Sequence, residues 1–359
     1  MKTRLSSQFV FVSLPVLLSL LAGCVASRAE NRATIQLKRF GFRSGSCDYR
    51  QTVQFLDDHR LLLSAPADGV CDKSNGSSGS LMQLTVVDSQ GNVLASKTRP
   101  NVYAMRAGPL GYAVACGDNS LELVSGELGT VRTLSTRPDK MGPCGGIDGL
   151  SPSRTAISIR DFGDSPKSFA RHRLFRADSE QPIADRQFGK GDYLSAITES
   201  GYAVCTSVEH RRCEQLAVDG SLWAGGPQRA TRYGLLLSPN ELLLPPDRTD
   251  KSLMSLSPDG KEQQVVDLRK LQPPNVDSES IQISAVAPRR ILYSATGCYL
   301  GDFDDCYGLN FERIAVFDSQ THQLLYEEKV GRNATSIISP NGHIVAVLDG
   351  SKLQILTIP

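Results

Sequence analysis

The stretch Ala334-Thr-Ser-Ile-Ile-Ser-Pro-Asn-Gly-His-Ile-Val-Ala-Val-Leu-Asp-Gly-Ser-Lys-Leu-Gln-Ile-Leu-Thr-Ile-Pro359 decides the reading of the whole chain. Ala334 to Ile338 is a short apolar strand, and Ser339-Pro340-Asn341-Gly342 is a turn. His343 to Leu348 is a second strand, Asp349-Gly350-Ser351 a second turn, and Lys352 to Ile358 a third strand. Proline fixes φ and Asn-Gly supplies φ > 0, so the turns follow from residue chemistry as well as composition. Three strands with one apolar face cannot bury that face alone, so a unit of this kind requires stacked neighbours.

Degenerate copies of the unit run back through the sequence. Ser238-Pro239-Asn240 precedes Leu242-Leu-Leu244, Ser151-Pro152-Ser153 precedes Ala156-Ile-Ser-Ile159, and Ala287-Pro288-Arg289 precedes Ile291-Leu-Tyr293. Fainter copies are Thr198 to Gly201 before Tyr202-Ala-Val204, Ala107-Gly-Pro109 before Gly111 to Val114, and Leu56-Asp-Asp58 before Leu61-Leu-Leu63. Their first residues (56, 107, 151, 198, 238, 287 and 339) are spaced about as propeller blades are, at roughly 40–50 residues. A second signal recurs inside the units: a strand ending in Asp and a tight turn, as in Leu84-Thr-Val-Val-Asp88 and Ile314-Ala-Val-Phe-Asp318. Each unit therefore reads as a four-stranded antiparallel meander, strands A to D from the centre outward.

The last unit has three strands before the chain stops. The strand Ala33 to Arg39, which precedes the first full unit, would supply its strand D and close the ring, removing an exposed edge. The fold expected is all-β, a seven-bladed β-propeller over residues 33–359, with six or eight blades left open by the faint copies near 107 and 198. The turns resemble those of the bacterial β-propeller superfamily, with Trp-Asp-repeat-like or YVTN-like blades. Blade-end Trp-Asp dipeptides are absent, and Trp223 is the only tryptophan. The resemblance implies the fold and no chemistry.

The segment 1–23 has the form of a signal peptide, with Lys2 and Arg4 before the apolar run Phe9 to Ala22. It ends in Leu21-Ala22-Gly23-Cys24, which resembles the lipobox of bacterial lipoproteins and implies cleavage before Cys24 and acylation of its thiol. An ordinary secretory cleavage shortly after Val25-Ala26-Ser27 is the other reading. Residues 24–32 then form a linker. Either reading exports the chain to the bacterial cell envelope or beyond, and an acyl anchor would be its only hold on a membrane. Lys2 and Arg4 are two of the 39 basic residues against 38 acidic ones, so the mature chain is within one charge of neutral. With no basic stripe, nucleic acid is not expected as a partner.

Eight cysteines remain after Cys24, an even number suited to disulfides in an exported chain. The repeat register narrows their pairing. Cys205 and Cys213, like Cys298 and Cys306, bracket a single B–C loop. Cys71 and Cys116 lie in B–C loops, whereas Cys47 and Cys144 lie in the D–A loops entering the first and third blades. D–A and B–C loops emerge on one face of an antiparallel meander, so Cys47–Cys71 and Cys116–Cys144 can meet there.

That face also gathers the long polar insertions. Its candidate binding residues are Lys73, Asp161, Asp164, Lys167, Arg171, His172, His210, Arg211, Arg212, Asp247, Arg248 and Lys251. Asp302, Asp304 and Asp305, between Cys298 and Cys306, are the one candidate calcium cluster, without EF-hand spacing. There is no Gly-x-Ser-x-Gly elbow, His-Glu-x-x-His or glycine-rich phosphate loop, and no cofactor or catalytic residue is assigned. The expectation is a monomeric, non-enzymatic scaffold that docks a protein or envelope polymer on this face. The alternative is a hydrolase or lyase with its substrate at the channel mouth of the same face.

Overall fold

The computed structural model describes residues 30–43, 51–67, 81–117, 120–135, 144–161, 170–206, 213–224, 235–238, 241–244, 252–267, 276–299, 310–330 and 334–359. Seven four-stranded antiparallel sheets follow one another along the chain. Blades I to VI take residues 52–100, 104–135, 147–187, 192–222, 235–267 and 276–330. Blade VII takes Thr335–Ile338, Ile344–Asp349 and Lys352–Thr357 and is completed by Glu30–Gln36. That N-terminal strand pairs antiparallel with the last one, Ala33 opposite Ile355 and Ile35 opposite Leu353. The ring thus closes with chain segments from both ends, and the count is seven.

Both bounds of the closing strand differ from the sequence reading: it begins at Glu30, inside the segment read as a linker, rather than at Ala33. The closing strand stops at Gln36, and Leu37–Phe40 form a 3₁₀ turn. Leu37 and Phe40 are both buried there, and Gly41 at φ 85° ends the turn with its N–H on the carbonyls of Leu37 and Lys38. Two apolar side chains three residues apart suit a 3₁₀ turn, whose i and i+3 positions eclipse; a strand would put them on opposite faces.

The first strand of each blade is an edge of its sheet. These are Thr52–Phe55, Ala104–Ala107, Ile147–Leu150, Asp192–Ile197, Leu235–Ser238, Val276–Ala287 and Thr335–Ile338. Neighbouring first strands touch around the axis, which makes them the inner ring. The outermost strands are the exposed ones, as in Val93–Pro100 of blade I and Ala184–Gln187 of blade III.

The core is a ring of seven apolar clusters, one in each interface between adjacent blades. Leu61, Leu63 and Phe55 of blade I meet Ala346, Leu353 and Ile355 of blade VII. Leu62, Leu84 and Val86, on the opposite face of blade I, meet Met105, Ala113 and Val124 of blade II. The same alternation carries through the other five interfaces. Strands buried on both faces account for the unbroken apolar runs such as Leu61-Leu-Leu63. Each fully buried leucine contributes roughly 1.5–3 kcal/mol.

The A–B turns repeat atom for atom where the sequence repeats. In blade VII, Ser339 O accepts the N–H of Gly342 at 2.9 Å, and Ser339 Oγ accepts that of Ile344 at 2.9 Å. In blade III, Ser151 O accepts the N–H of Arg154 at 2.8 Å, and Ser151 Oγ that of Ala156 at 3.1 Å. The serine caps the turn at both ends, which is why the Ser-Pro signature marks the blades.

Candidate functional site

The molecule presents two faces around the channel. On the first, where D–A and B–C loops emerge, two disulfides are described. Cys116 at the end of strand B in blade II joins Cys144 in the loop entering blade III, and Cys205 joins Cys213 across the B–C loop of blade IV. All four cysteines are buried, at 5% exposure or less. Cys24, Cys47, Cys71 and Cys306 lie outside the described residues, as does the side chain of Cys298.

Of the candidate binding residues, three fall on described positions, and each is already engaged. Asp161, at the end of strand B in blade III, accepts Ser135 Oγ from blade II and pairs with the Arg173 guanidinium. Arg171 is 63% exposed and forms a bidentate pair with Asp185 on the neighbouring strand. His172 corrects the sequence reading: it is 6% exposed and points into the interface with blade IV. Strand parity explains this, because His172 shares a face with the fully buried Leu174, whereas Arg171 and Arg173 take the other. Lys73, Asp164, Lys167, His210, Arg211, Arg212, Asp247, Arg248 and Lys251 lie outside the described residues. So do Asp302, Asp304 and Asp305, the calcium candidates. Among the described residues no group of three or more His, Cys, Asp or Glu side chains is set to hold a metal ion.

His172 belongs to a polar cluster buried among apolar side chains. Its Nδ1 lies 2.7 Å from Asp148 Oδ2, its ring stacks on Phe188 at 4.4 Å, and Tyr202 meets it edge-on. Ser158 Oγ donates to the same Asp148 oxygen at 2.9 Å and lies 3.2 Å from the Tyr202 hydroxyl. Burial pushes the Tyr202 phenol far above its ordinary value. A serine, a histidine and an aspartate are together here, but not as a nucleophile, base and orienting acid. Serine and histidine both terminate on the carboxylate, and no hydrogen bond runs from Ser158 to His172. The cluster therefore locks blade III to blade IV.

The second face carries the A–B turns, and there the structure shows what the sequence reading missed. Adjacent turns are tied to one another by polar bonds. Asp58 Oδ1 of blade I accepts the N–H of Asn341 of blade VII at 2.7 Å. Leu56 O of blade I accepts Gly111 N–H of blade II, and Leu110 N–H of blade II donates to Arg154 O of blade III. Glu199 of blade IV accepts Ser153 N–H, Ser153 Oγ and Thr155 Oγ1 from blade III at 2.6–2.7 Å. Those donors outweigh the upward push of burial and hold the Glu199 carboxyl below its usual range. A collar thus runs through five consecutive blades.

Arg154 spans the collar. Its Nη2 donates to Phe55 O of blade I at 2.8 Å and to Gly108 O of blade II at 2.9 Å. Burial lowers its pKa to about 10, with Asp57 and Asp58 opposing the fall. Arg154 stands where the matching turn of blade VII has Gly342, and both have positive φ, 56° and 81°. An arginine in this conformation costs about 1 kcal/mol or more relative to glycine. The signal was present in the sequence: Ser151-Pro-Ser-Arg154 aligns with Ser339-Pro-Asn-Gly342 and puts arginine where the turn asks for glycine.

Comparison with solved structures gives matches over much of the chain at low identity. A member of the DUF4221 family from Bacteroides vulgatus is 11% identical, with TM-score 0.38, over 92% of this chain and 97% of that one. The WD40 domain of Neurospora crassa Pan2 is 9% identical, with TM-score 0.45, over 92% and 97%. A putative TolB from Agrobacterium tumefaciens is 12% identical, with TM-score 0.35, over 73% and 94%. At these values the likenesses carry no argument about function. No family model matches the chain, and no curated protein does.

Proposed function

We propose that the chain is an exported binding scaffold, anchored by acylation at Cys24, whose partner is a protein or envelope polymer docked on the disulfide-bonded face. The observation that carries this reading is the position of the two disulfides. Both secure loops on the face where the long polar insertions leave the blades, whereas the opposite face has short turns tied by hydrogen bonds. Covalent closure lowers the entropy of a long loop without consuming its side chains, which stay available to a partner. Disulfides accord with an oxidising compartment outside the cytoplasm. The arrangement of Ser158, His172 and Asp148 gives the hydrolase reading no activated nucleophile.

Crosslinking and mass spectrometry on intact envelopes, with the wild-type anchored chain, test the proposal. Reproducible crosslinks from Lys73, Lys167 and Lys251 to one macromolecule are expected. Crosslinks confined to the chain itself would overturn the scaffold in favour of a small ligand or substrate.

A further inference from the structure

Strand direction determines where the chain enters the ring. Inner strands run from the disulfide-bonded face to the A–B turns, and outer strands run back to that face from the C–D turns, so A–B and C–D turns share one end. Glu30–Gln36, the outer strand of blade VII, therefore starts at the A–B and C–D end. Glu30 lies opposite Thr357, and the next residue, Ile358, donates its N–H to the carbonyl of His343 beside the A–B turn. Cys24 stands six positions before Glu30. Even fully extended, six residues span only about 20 Å, no more than the strand itself. Folded back along the strand, they would bring Cys24 no further than the level of Gln36, short of a membrane beyond the loops of the disulfide-bonded face.

Among the described residues, exposed large apolar side chains gather at the same end. Val93 and Leu94 open the outer strand of blade I, and Val131 is the second residue of that of blade II. Ile183 immediately precedes the outer strand of blade III, and Leu222 belongs to that of blade IV. With Leu110 in the A–B turn of blade II, these side chains are 36–71% exposed. The outer-strand positions are all within two residues of a C–D turn, hence within about 7 Å of it. The fold does not demand this exposure: Leu324 and Leu325, which open the outer strand of blade VI, are half-buried against the core. Single exposed apolar residues are ordinary, but a series at one level on four successive blades forms a belt. Leu81, at the start of the third strand of blade I, is the only such side chain described at the other end.

We propose that the A–B and C–D end of the ring lies against a lipid surface, with Val93, Leu94, Leu110, Val131, Ile183 and Leu222 entering its headgroup layer and the disulfide-bonded face held outward. The inference rests on the acylation proposed at Cys24. Blade VII, where the anchor joins the ring, adjoins blade I, where the belt begins, so anchor and belt meet one surface together. Apolar side chains entering the interface add buried area to the hold of the acyl chain and set an orientation that the acyl chain alone does not. Asp57, Asp88, Glu199 and Asp219 stand at the same end, so the belt suits a zwitterionic lipid surface better than an anionic one.

Tryptophans placed at the two ends of the ring test the proposal, since Trp223 is the only native one and is buried. The full mature chain is purified from membranes, its intact mass is measured, and it is reconstituted on phosphatidylcholine vesicles with brominated acyl chains. Leu94→Trp and Val131→Trp should each lose about half or more of the emission they add to wild type, as bromine quenches an indole sunk roughly 5–10 Å into the interface. Leu81→Trp, at the opposite end of the blade that carries Leu94, should keep its emission. Equal quenching of L81W and L94W, or none at either belt position in chains that float with the vesicles, would overturn the orientation and leave the anchor standing. A blue shift of L94W in detergent without vesicles, with a doubled mass by light scattering, would assign the belt to a second copy and also overturn it. An intact mass without acyl groups would overturn the anchor and the orientation together.

Discussion

The two faces of the ring solve one problem by different means. Each must hold loops from neighbouring blades in register. The D–A and B–C side has the longest connections beside short ones, and covalent bonds close loops there: Cys116–Cys144 bridges a separation of 28 residues and Cys205–Cys213 one of 8. On the A–B side the turns are short enough that side chains of one reach the backbone of the next, and Asp58, Glu199 and Arg154 tie them. Long loops lose more entropy on ordering than a few hydrogen bonds return, whereas short turns need only local partners. The polar side chains of the second face are spent on holding its turns together.

The comparison can be broken in order of expected effect. Replacing Cys116 and Cys144 together by serine should lower unfolding stability by roughly 3–4 kcal/mol, from the loop-closure entropy returned to the unfolded chain. A shift in the urea midpoint measures it, and a shift no larger than that of a surface substitution would show that the covalent bond is dispensable. Arg154→Ala should cost about 3 kcal/mol by the same assay, since it strips two buried carbonyls of a charged donor. Arg154→Gly should cost less, because it removes the same donor but relieves the left-handed backbone. If glycine is the more damaging, the strain argument fails. The shorter Cys205–Cys213 closure should contribute roughly 2–3 kcal/mol when both cysteines become serine.

The smallest effect is a pH dependence on the C–D side. Burial alone would raise the Asp318 carboxyl. The amides of Thr321 and Gln320 and the Arg290 guanidinium outweigh it and hold the pKa at about 2, below the ordinary 3.8. A carboxyl lowered on folding stabilises above its unfolded pKa and loses that contribution as pH falls through the folded one. Wild type should therefore lose melting temperature between about pH 4 and pH 2 more steeply than Asp318→Asn. Parallel acid limbs for the two proteins would show that the Arg290–Asp318 pair is not coupled to folding. Arg290 also donates to Pro359 O of blade VII at 3.0 Å, so the pair belongs to the interface between the last two blades.

Much of this architecture was legible in the residues, because it is local. The Ser-Pro turns at Ser151 and Ser339 cap themselves in the same way, and the spacing of such turns yields the blades. The spare N-terminal strand and the three-stranded last unit imply each other. His172 was misplaced although its parity with Leu174 was readable, because the basic run Arg171-His172-Arg173 suggested a surface patch. Asp148 and Ser158 carry no motif that marks them as its partners. They lie on separate strands of blade III, and Phe188 and Tyr202 complete the cluster from beyond them.

By itself the sequence determined the all-β class, a propeller of about seven units, the closure by both chain ends and the face on which cysteines can meet; the structure fixed the count at seven. Each of these depends on turn chemistry and a period of two, properties of neighbours along the chain. Only the tertiary structure decided that Arg154 reaches back 99 residues to Phe55 and that His172 turns inward against blade IV. Those depend on how seven sheets are stacked about an axis, where residues remote in sequence become neighbours through packing.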